Sequence, residues 1–404
     1  MSHVHEVIDE APVRELRRRL HACAELGYEV HETAQVVSDA LESWGVEVTR
    51  GIGRTGLVGT LSGRPGPTSI GLRADMDALP IQEANTFAHR SRNPGVMHAC
   101  GHDGHMAMLV GAARHLAARR DEFSGTVHFI FQPAEEGGAG ARAMIDDGLF
   151  DRFPVDAVFG VHNWPGLPQG SVALRAGGLM ASSNLFKVQV QGTACHAAMP
   201  HNGSDALLAA SQIALSLQTI ITRRLRPIDN AVLSVTQIHS GHADGVVPGE
   251  AWLSGAVRTF DGAVTTAIER HIGEIAASTA QAFGCTARSD FFRSYPPTVN
   301  DPDEAAYAAQ VATQVVGGAK VIRDCEPTMA SEDFAFMLQA RPGCYAFIGN
   351  GAADQRIDGR SAGPCELHNP SYEFNDELIP VGVRYFVQLV RSFGERPRRR
   401  ENSA

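Results

Sequence analysis

Residues 97–105 read MHACGHDGH and crowd Cys100, His102, Asp103 and His105 into one short run. Cys100 and His102 stand two apart, a spacing that does not share one face of a helix but suits a loop or extended segment on which alternate side chains converge. Sulfur and imidazole donors so close together suit a pair of metal ligands. The run leads into GHMAMLVGAARHLAARR, whose periodicity predicts a helix over 105–120 and places the cluster where a loop enters it.

Further donors are Glu135 and Glu136 in FQPAEEGGAGA, His162 in GVHNWPG and His368 in GPCELHNPSYEFND. Mixed S, N and O donors suit zinc, manganese or cobalt better than magnesium or calcium, which prefer oxygen shells. Five ligands, Cys100, His102, Glu136, His162 and His368, exceed the needs of one tetrahedral zinc and suit two ions about 3.5–4 Å apart. In the Glu135–Glu136 pair one carboxylate can bind metal while its neighbour takes a proton from water and passes it to a leaving amine. Asp75 and Asp77, in RADMDALP, are expected just outside the ligands, orienting a histidine. His98, Asp103 and His105 are expected in the same supporting layer or in packing. A different chemistry is open to the same run, with Cys100 as a nucleophile activated by His102 or His105. That reading leaves Glu135, Glu136, His162 and His368 without a task.

The elements that must position these residues are short apolar runs ending in polar groups. SIGLRADMDALP reads as a strand with Asp75 and Asp77 just past its end, GTVHFIFQPAEEGGAGA as a strand running into a Gly-rich turn, and DAVFGVHNWPG as a strand with His162 at its exit. Helices over 10–22, 33–44 and 105–120 separate them, the alternation of an α/β fold with a mostly parallel central sheet. In such sheets the crevice lies at the carboxyl ends of the strands. After about Ser182 the texture changes. NLFKVQVQG, a helix over 203–222, strands in NAVLSVTQI and EAWLSGAVRTF, and a helix over 263–283 give the order β-α-β-β-α of a smaller inserted α+β domain. After YPPTVN the α/β texture resumes, with GCYAFIGN as a strand and DELIPVGVRYFVQLVRSF as a closing helix. The expected organisation is a discontinuous domain of 1–182 and 296–404 around an insert of 183–295.

A chain of 404 residues with 44% apolar composition can bury two cores. Its net charge of −10 argues against a nucleic-acid partner, and the basic RPRRR near the C-terminus reads as a solvated end. No run approaches the ~18 apolar residues that span a bilayer, and MSHVHEVIDEAPVRELRRRL reads as neither signal peptide nor membrane anchor. Seven cysteines without regular spacing do not form a disulfide framework, so the expected compartment is the cytoplasm.

MHACGHDGH, FQPAEEGGAGA and GVHNWP are joined by RADMDALPIQE, GTACHAAMPHNG, TMASEDFAFML and CELHNPSYEFND. With these motifs the chain resembles, over nearly its whole length, the metal-dependent aminoacylase, carboxypeptidase and hippurate hydrolase family. Within it the chain is most similar to the bacterial hippurate hydrolase and N-acyl-amino-acid amidohydrolase branch, where a cysteine in CGHD replaces a ligand type used by other branches. The resemblance implies a zinc-peptidase-like catalytic domain holding two divalent metal ions (zinc, manganese or cobalt), interrupted by a smaller lid domain that also forms a homodimer interface. Carried over motif by motif, Cys100, His102, Glu136, His162 and His368 match metal ligands and Glu135 matches the general acid/base. His196, in CHAAMPH, matches a histidine offered to the partner subunit's active site to polarise the scissile carbonyl. His201 in the same motif and Arg258 in AVRTF are candidate substrate contacts. Arg258 would pair bidentately with a carboxylate, against the alternative of a surface ion pair.

The implied reaction is hydrolysis of N-acyl amino acids; the alternatives are dipeptidase or carboxypeptidase action within the family, or metal binding without catalysis. Two departures stand out. DGVVP carries Gly245 where relatives have an Asn associated with substrate recognition, with Asp244 as the neighbour that could compensate. HACAELGYE carries Ala24 where relatives have Pro, a change expected to affect only a turn.

Overall fold

The computed structural model describes residues 9–352 and 359–396. The readings made for residues 1–8 and for 397–400 of RPRRR lie outside the described residues. Contacts divide the chain into a larger unit, formed by the chain up to Gly177, Val299–Glu326 and the chain from Asp333 onward, and a smaller one of Gly178–Thr298 with Pro327–Glu332. The last segment is a difference from the contiguous ranges expected. Thr328 N–H donates to the Leu179 carbonyl and the Ala181 N–H reaches the Thr328 and Ala330 carbonyls, so backbone bonding draws it to the smaller unit.

The larger unit is built on an eight-stranded sheet. Its order is Glu47–Ile52, Gly56–Ser62, Ser124–Gln132, Arg64–Asp75, Ala157–Pro165, Gly343–Gly351, Val172–Leu174 and Val321–Arg323. The four central strands, from Ser124–Gln132 to Gly343–Gly351, run parallel. The first two strands form an antiparallel hairpin added at one edge, and Val172–Leu174 is antiparallel to Gly343–Gly351. Gly343–Gly351 is buried throughout and Ala157–Pro165 is buried along its first seven residues. Such continuous burial is what a parallel sheet covered on both faces requires.

The helix expected at 105–120 spans His102–Ala117, because Gly101 takes φ 86° and turns the chain so that His102 becomes the first helical residue. Nearly every side chain of this helix is buried, and the closing helix Ile379–Phe393 packs on it through Gly382 and Met108. Helix Ala11–Ala22 joins the same core through Val13 and Leu20.

The smaller unit is an antiparallel sheet in the order Ala231–Ser240, Glu250–Thr259, Ser183–Gln191 and Thr286–Tyr295. Phe186, Val188, Val190, Leu253 and Val257 on one face form a core with helices Ala206–Thr219 and Gly262–Ala282. Asp205 and Asp261 cap those helices, accepting from Leu208 N–H and Ala263 N–H. The fourth strand, Thr286–Tyr295, is absent from the sequence-based order. TARSDFFRSY carries too little apolar alternation to announce a strand, as suits its place at a sheet edge.

Gly104 lies where a Cβ would strike the Phe374 ring, itself fully buried. Gly104→Ala is therefore expected to cost about 1–3 kcal/mol, read as a lower urea midpoint; an unchanged midpoint would show that the ring moves aside freely.

Candidate metal centre

Asp75 ends its strand and Asp77 follows it; both are buried. The Asp77 carboxylate accepts from the backbone N–H groups of Glu135 (2.9 Å) and Glu136 (3.0 Å), fixing the Glu135–Glu136 turn at the end of Ser124–Gln132. Ala134, just before the pair, is held in the left-handed region at φ 53°. Burial and the Glu136 carboxylate push Asp77 well above the usual carboxylate range, against the two N–H bonds.

His102 Nδ1 lies 2.7 Å from the Asp77 backbone carbonyl. A carbonyl only accepts, so Nδ1 carries the proton and Nε2 keeps its lone pair. That Nε2 is buried and has no hydrogen-bond partner among the described residues. The same logic holds at His162, whose Nδ1 donates to the Asn163 carbonyl at 2.6 Å, leaving Nε2 aimed at Cys100 Sγ, 3.3 Å away. His368 also sits in the left-handed region (φ 61°), tied by its N–H to the Ala99 carbonyl, with Nε2 3.3 Å from Glu136 Oε1.

Donor atoms of Cys100, His102 and His162 all lie within 4.8 Å of one another, and so do those of Cys100, Glu136 and His368. Cys100 belongs to both triplets. His102, Glu135 and Glu136 form another such group. The orphaned His102 lone pair, a buried thiol, further imidazoles and a carboxylate converging in this way are what a divalent-cation site presents. All five candidate ligands and Glu135 therefore meet in the larger unit.

Asp75 and His105 are grouped with His102 by distance alone, yet their donors are committed. Asn163 N–H donates to His105 Nε2 at 3.0 Å, so His105 Nδ1 donates to Asp75 Oδ1 at 2.7 Å. Asp75 Oδ2 accepts from Arg73 Nη1 at 2.8 Å. Burial opposes the Asp75 charge, but the Arg73 guanidinium and the hydrogen bond from His105 outweigh it and hold the carboxyl well below its usual range. Arg73, which the motifs did not single out, also bonds Gln132 and Asp333 in the same buried layer.

Burial, with Glu136 and Glu135 nearby, pushes the Cys100 thiol well above its ordinary range, and burial with His105 beside it holds His162 well below. A nucleophilic cysteine needs the reverse, a lowered thiol beside a cation. Burial disfavours the Glu136 charge, yet the hydrogen bond with His368 draws its pKa below the ordinary value. None of the seven cysteines is in a disulfide.

Three other sequence candidates belong to the smaller unit. His196 lies in the two-residue strand Cys195–His196, paired with Val246–Val247; it is exposed, and its Nδ1 accepts from Ala198 N–H at 3.0 Å. His201 is exposed in the turn Pro200–Asn202. Arg258, on Glu250–Thr259, is partly buried, and its Nη1 has no hydrogen-bond partner among the described residues.

Comparison with known proteins places the chain. Residues 71–392 match the model of peptidase family M20/M25/M40, and the chain belongs to that family. It is 36% identical to the hippurate hydrolase of Campylobacter jejuni, covering 97% of this chain and 100% of that protein. It is 38% identical to thermostable carboxypeptidase 2 of Saccharolobus solfataricus over 95% of each. Among solved structures, a Bacillus subtilis protein described as a dinuclear metal binding peptidase from the M20 family superposes with a TM-score of 0.83 at 32% identity, covering 96% of this chain and 98% of that one. No helix among the described residues is long and apolar enough to cross a membrane.

Asp103 turns away from the ligands toward helix Ala11–Ala22, where its Oδ2 meets His21 Nδ1 at 2.8 Å and Arg17 Nη1 at 3.3 Å. Burial opposes the His21 charge, but Asp103 and Glu83 push its pKa up to about 10. Unfolded imidazole releases its proton near 6.5, so this stabilisation is complete below pH 6.5 and is lost as pH rises toward 10. His21→Gln is expected to lose about 3–5 kcal/mol at pH 6, and its gap to wild type should narrow in urea titrations between pH 6.5 and 9. A gap that stays constant would mean that the folded imidazole is neutral.

Proposed function

We propose that this chain is a dinuclear metal-dependent amidohydrolase that cleaves the amide between an acyl group and an amino acid, releasing a carboxylic acid and the free amino acid. The observation that carries the reading is the pair of donor triplets sharing Cys100, with Glu135 beside them, in a chain so similar to a hippurate hydrolase along its whole length. Cys100, His102, Glu136, His162 and His368 would hold the ions, with zinc, manganese and cobalt all suited to the donor set. Bound there, the cations would polarise the scissile carbonyl and acidify a water.

The remaining steps fall to side chains. Glu135, its backbone pinned by Asp77, accepts the proton of the attacking water and delivers it to the amine nitrogen as the C–N bond breaks. In neutral His196 the Ala198 N–H occupies Nδ1, so the proton resides on Nε2, the form that donates to a carbonyl oxygen as negative charge develops. Arg258, with a guanidinium nitrogen that no described residue engages, suits the substrate carboxylate, with His201 as a further contact. The likeness to a carboxypeptidase supports the second reading, cleavage of peptides by the same steps.

A homodimer fits the smaller unit. Ala231–Ser240 is an edge strand exposing Val232 and Ile238, and helix Ala206–Thr219 exposes Leu207, Leu208 and Leu215. An uncovered edge with apolar neighbours invites pairing with a second copy. The cytoplasm is the compartment proposed, in keeping with seven unpaired cysteines.

Protein stripped by chelator and reloaded with zinc, manganese or cobalt is expected to release amine from N-benzoylglycine and N-acetyl amino acids. Cleavage of dipeptides alone would favour the peptidase reading, and silence across metals and substrates would remove both. Glu135→Gln should retain its metals and lose roughly 10²–10⁴-fold in kcat; full metal with undiminished turnover would remove Glu135 from the mechanism. Glu135→Gln and His196→Ala, each inactive alone, should regain activity when unfolded together and refolded, because a mixed dimer owns one intact site. A mixture that forms dimers and stays inactive would place His196 in its own subunit's site.

A further inference from the structure

Asn163 follows His162 in GVHNWP and is fully buried inside the strand Ala157–Pro165. Its Nδ2 donates to the Cys100 carbonyl at 2.6 Å and lies 3.1 Å from His105 Nε2. Its Oδ1 accepts the hydroxyl of Tyr372, also fully buried, at 2.6 Å. Through its backbone it donates to His105 and accepts from His162 Nδ1. One residue thus touches Cys100, His162 and the His105–Asp75–Arg73 layer behind them.

Gly101 lies directly under this pair. Its φ of +86° favours glycine, and a Cβ there would collide with both Asn163 Nδ2 and the Tyr372 hydroxyl. The turn between Cys100 and His102 is therefore closed from above by two side chains and left without one of its own. A buried amide with both ends engaged costs a great deal to misplace, so it resists displacement of the groups it holds.

We propose that Asn163 and Tyr372 are positioning residues: they clamp the Cys100–Gly101–His102 turn, and the Asn163 carbonyl orients His162, so that Cys100 Sγ and His162 Nε2 converge on one ion. The inference rests on the metal reading given under the proposed function. It assigns the clamp no contact with substrate; its effect is on how tightly, and in what geometry, sulfur and imidazole meet the cation.

The test uses full-length wild type, Asn163→Ala and Tyr372→Phe, each stripped and titrated with Co(II). Cobalt affinity comes from chelator competition, ligand geometry from the sulfur-to-cobalt charge-transfer band, and fold from urea titration. Asn163→Ala should bind cobalt roughly 10–100-fold more weakly, with a shifted or weakened band. Tyr372→Phe, which removes one hydroxyl and carries the test if the other variant does not fold, should lose roughly 3–10-fold with a band change in the same direction. The double variant should be little worse than Asn163→Ala, because both act through one contact chain. Variants that match a cobalt-binding wild type in affinity and band, with only stability reduced, would overturn the clamp while leaving the metal reading intact. A wild type that binds no cobalt, zinc or manganese would fell the metal reading, and the clamp with it.

Discussion

Asp75 and Asp77 carry carboxylates into a nearly water-free layer at the end of one strand, and the rest of the site depends on how those carboxylates are satisfied. Asp77 spends both oxygens on the N–H groups of Glu135 and Glu136 and lends its own carbonyl to His102. Asp75 spends its oxygens on Arg73 and His105. A buried acceptor left unpaired costs about 1–3 kcal/mol, and more when charged. The strand end, the Glu–Glu turn and the helix starting at His102 therefore cannot shift independently.

The same bookkeeping separates groups that are free to bind a ligand from those that are not. His102, His105 and His162 lie close together, and composition alone does not rank them. Hydrogen-bond direction does. His102 and His162 each donate from Nδ1 to a backbone carbonyl and keep a lone pair on Nε2. His105 accepts at Nε2 from Asn163 and donates at Nδ1 to Asp75, and has nothing left to offer. The HxxH spacing of residues 102 and 105 is thus no guide to a shared ion; the neighbouring backbone decides.

Much of this was legible in the sequence where an apolar run ended in a chemically capable residue. RADMDALP, FQPAEE and GVHNWP delivered their polar groups to one end of the central sheet, since parallel strands share a direction. Their exact bounds shifted by a residue or two: Asp75 is still within its strand, and His162 lies inside one rather than at its exit. What stayed hidden was polar residues serving other residues. Asn163 and Arg73 lie within quoted motifs, but each stands beside a residue with an evident task, His162 or Asp75, and their own partners appear only in the fold. Tyr372 is more than two hundred positions away from Asn163 in the chain and meets it only through the fold. The edge strand Thr286–Tyr295 and the grouping of Pro327–Glu332 with the smaller unit were hidden for a related reason, because pairing, not hydrophobic periodicity, defines them.

Gly245 shows how geometry sharpens a sequence departure. Many glycines of this chain are demanded by backbone or space, as Gly101 is by its positive φ and the clamp above it. Gly245 answers to neither. Its φ lies outside the left-handed region, and a Cβ built on it meets nothing within 4 Å. Its carbonyl accepts from the Ala197 N–H, beside His196, and a side chain would leave that backbone bond intact. The fold would therefore accept an asparagine here without strain. What Gly245 leaves beside the His196 strand is open space, flanked by the exposed Val246 and Asp244. The departure is therefore one of side-chain chemistry and not of packing, since neither the backbone conformation nor the surrounding space at this position calls for a glycine.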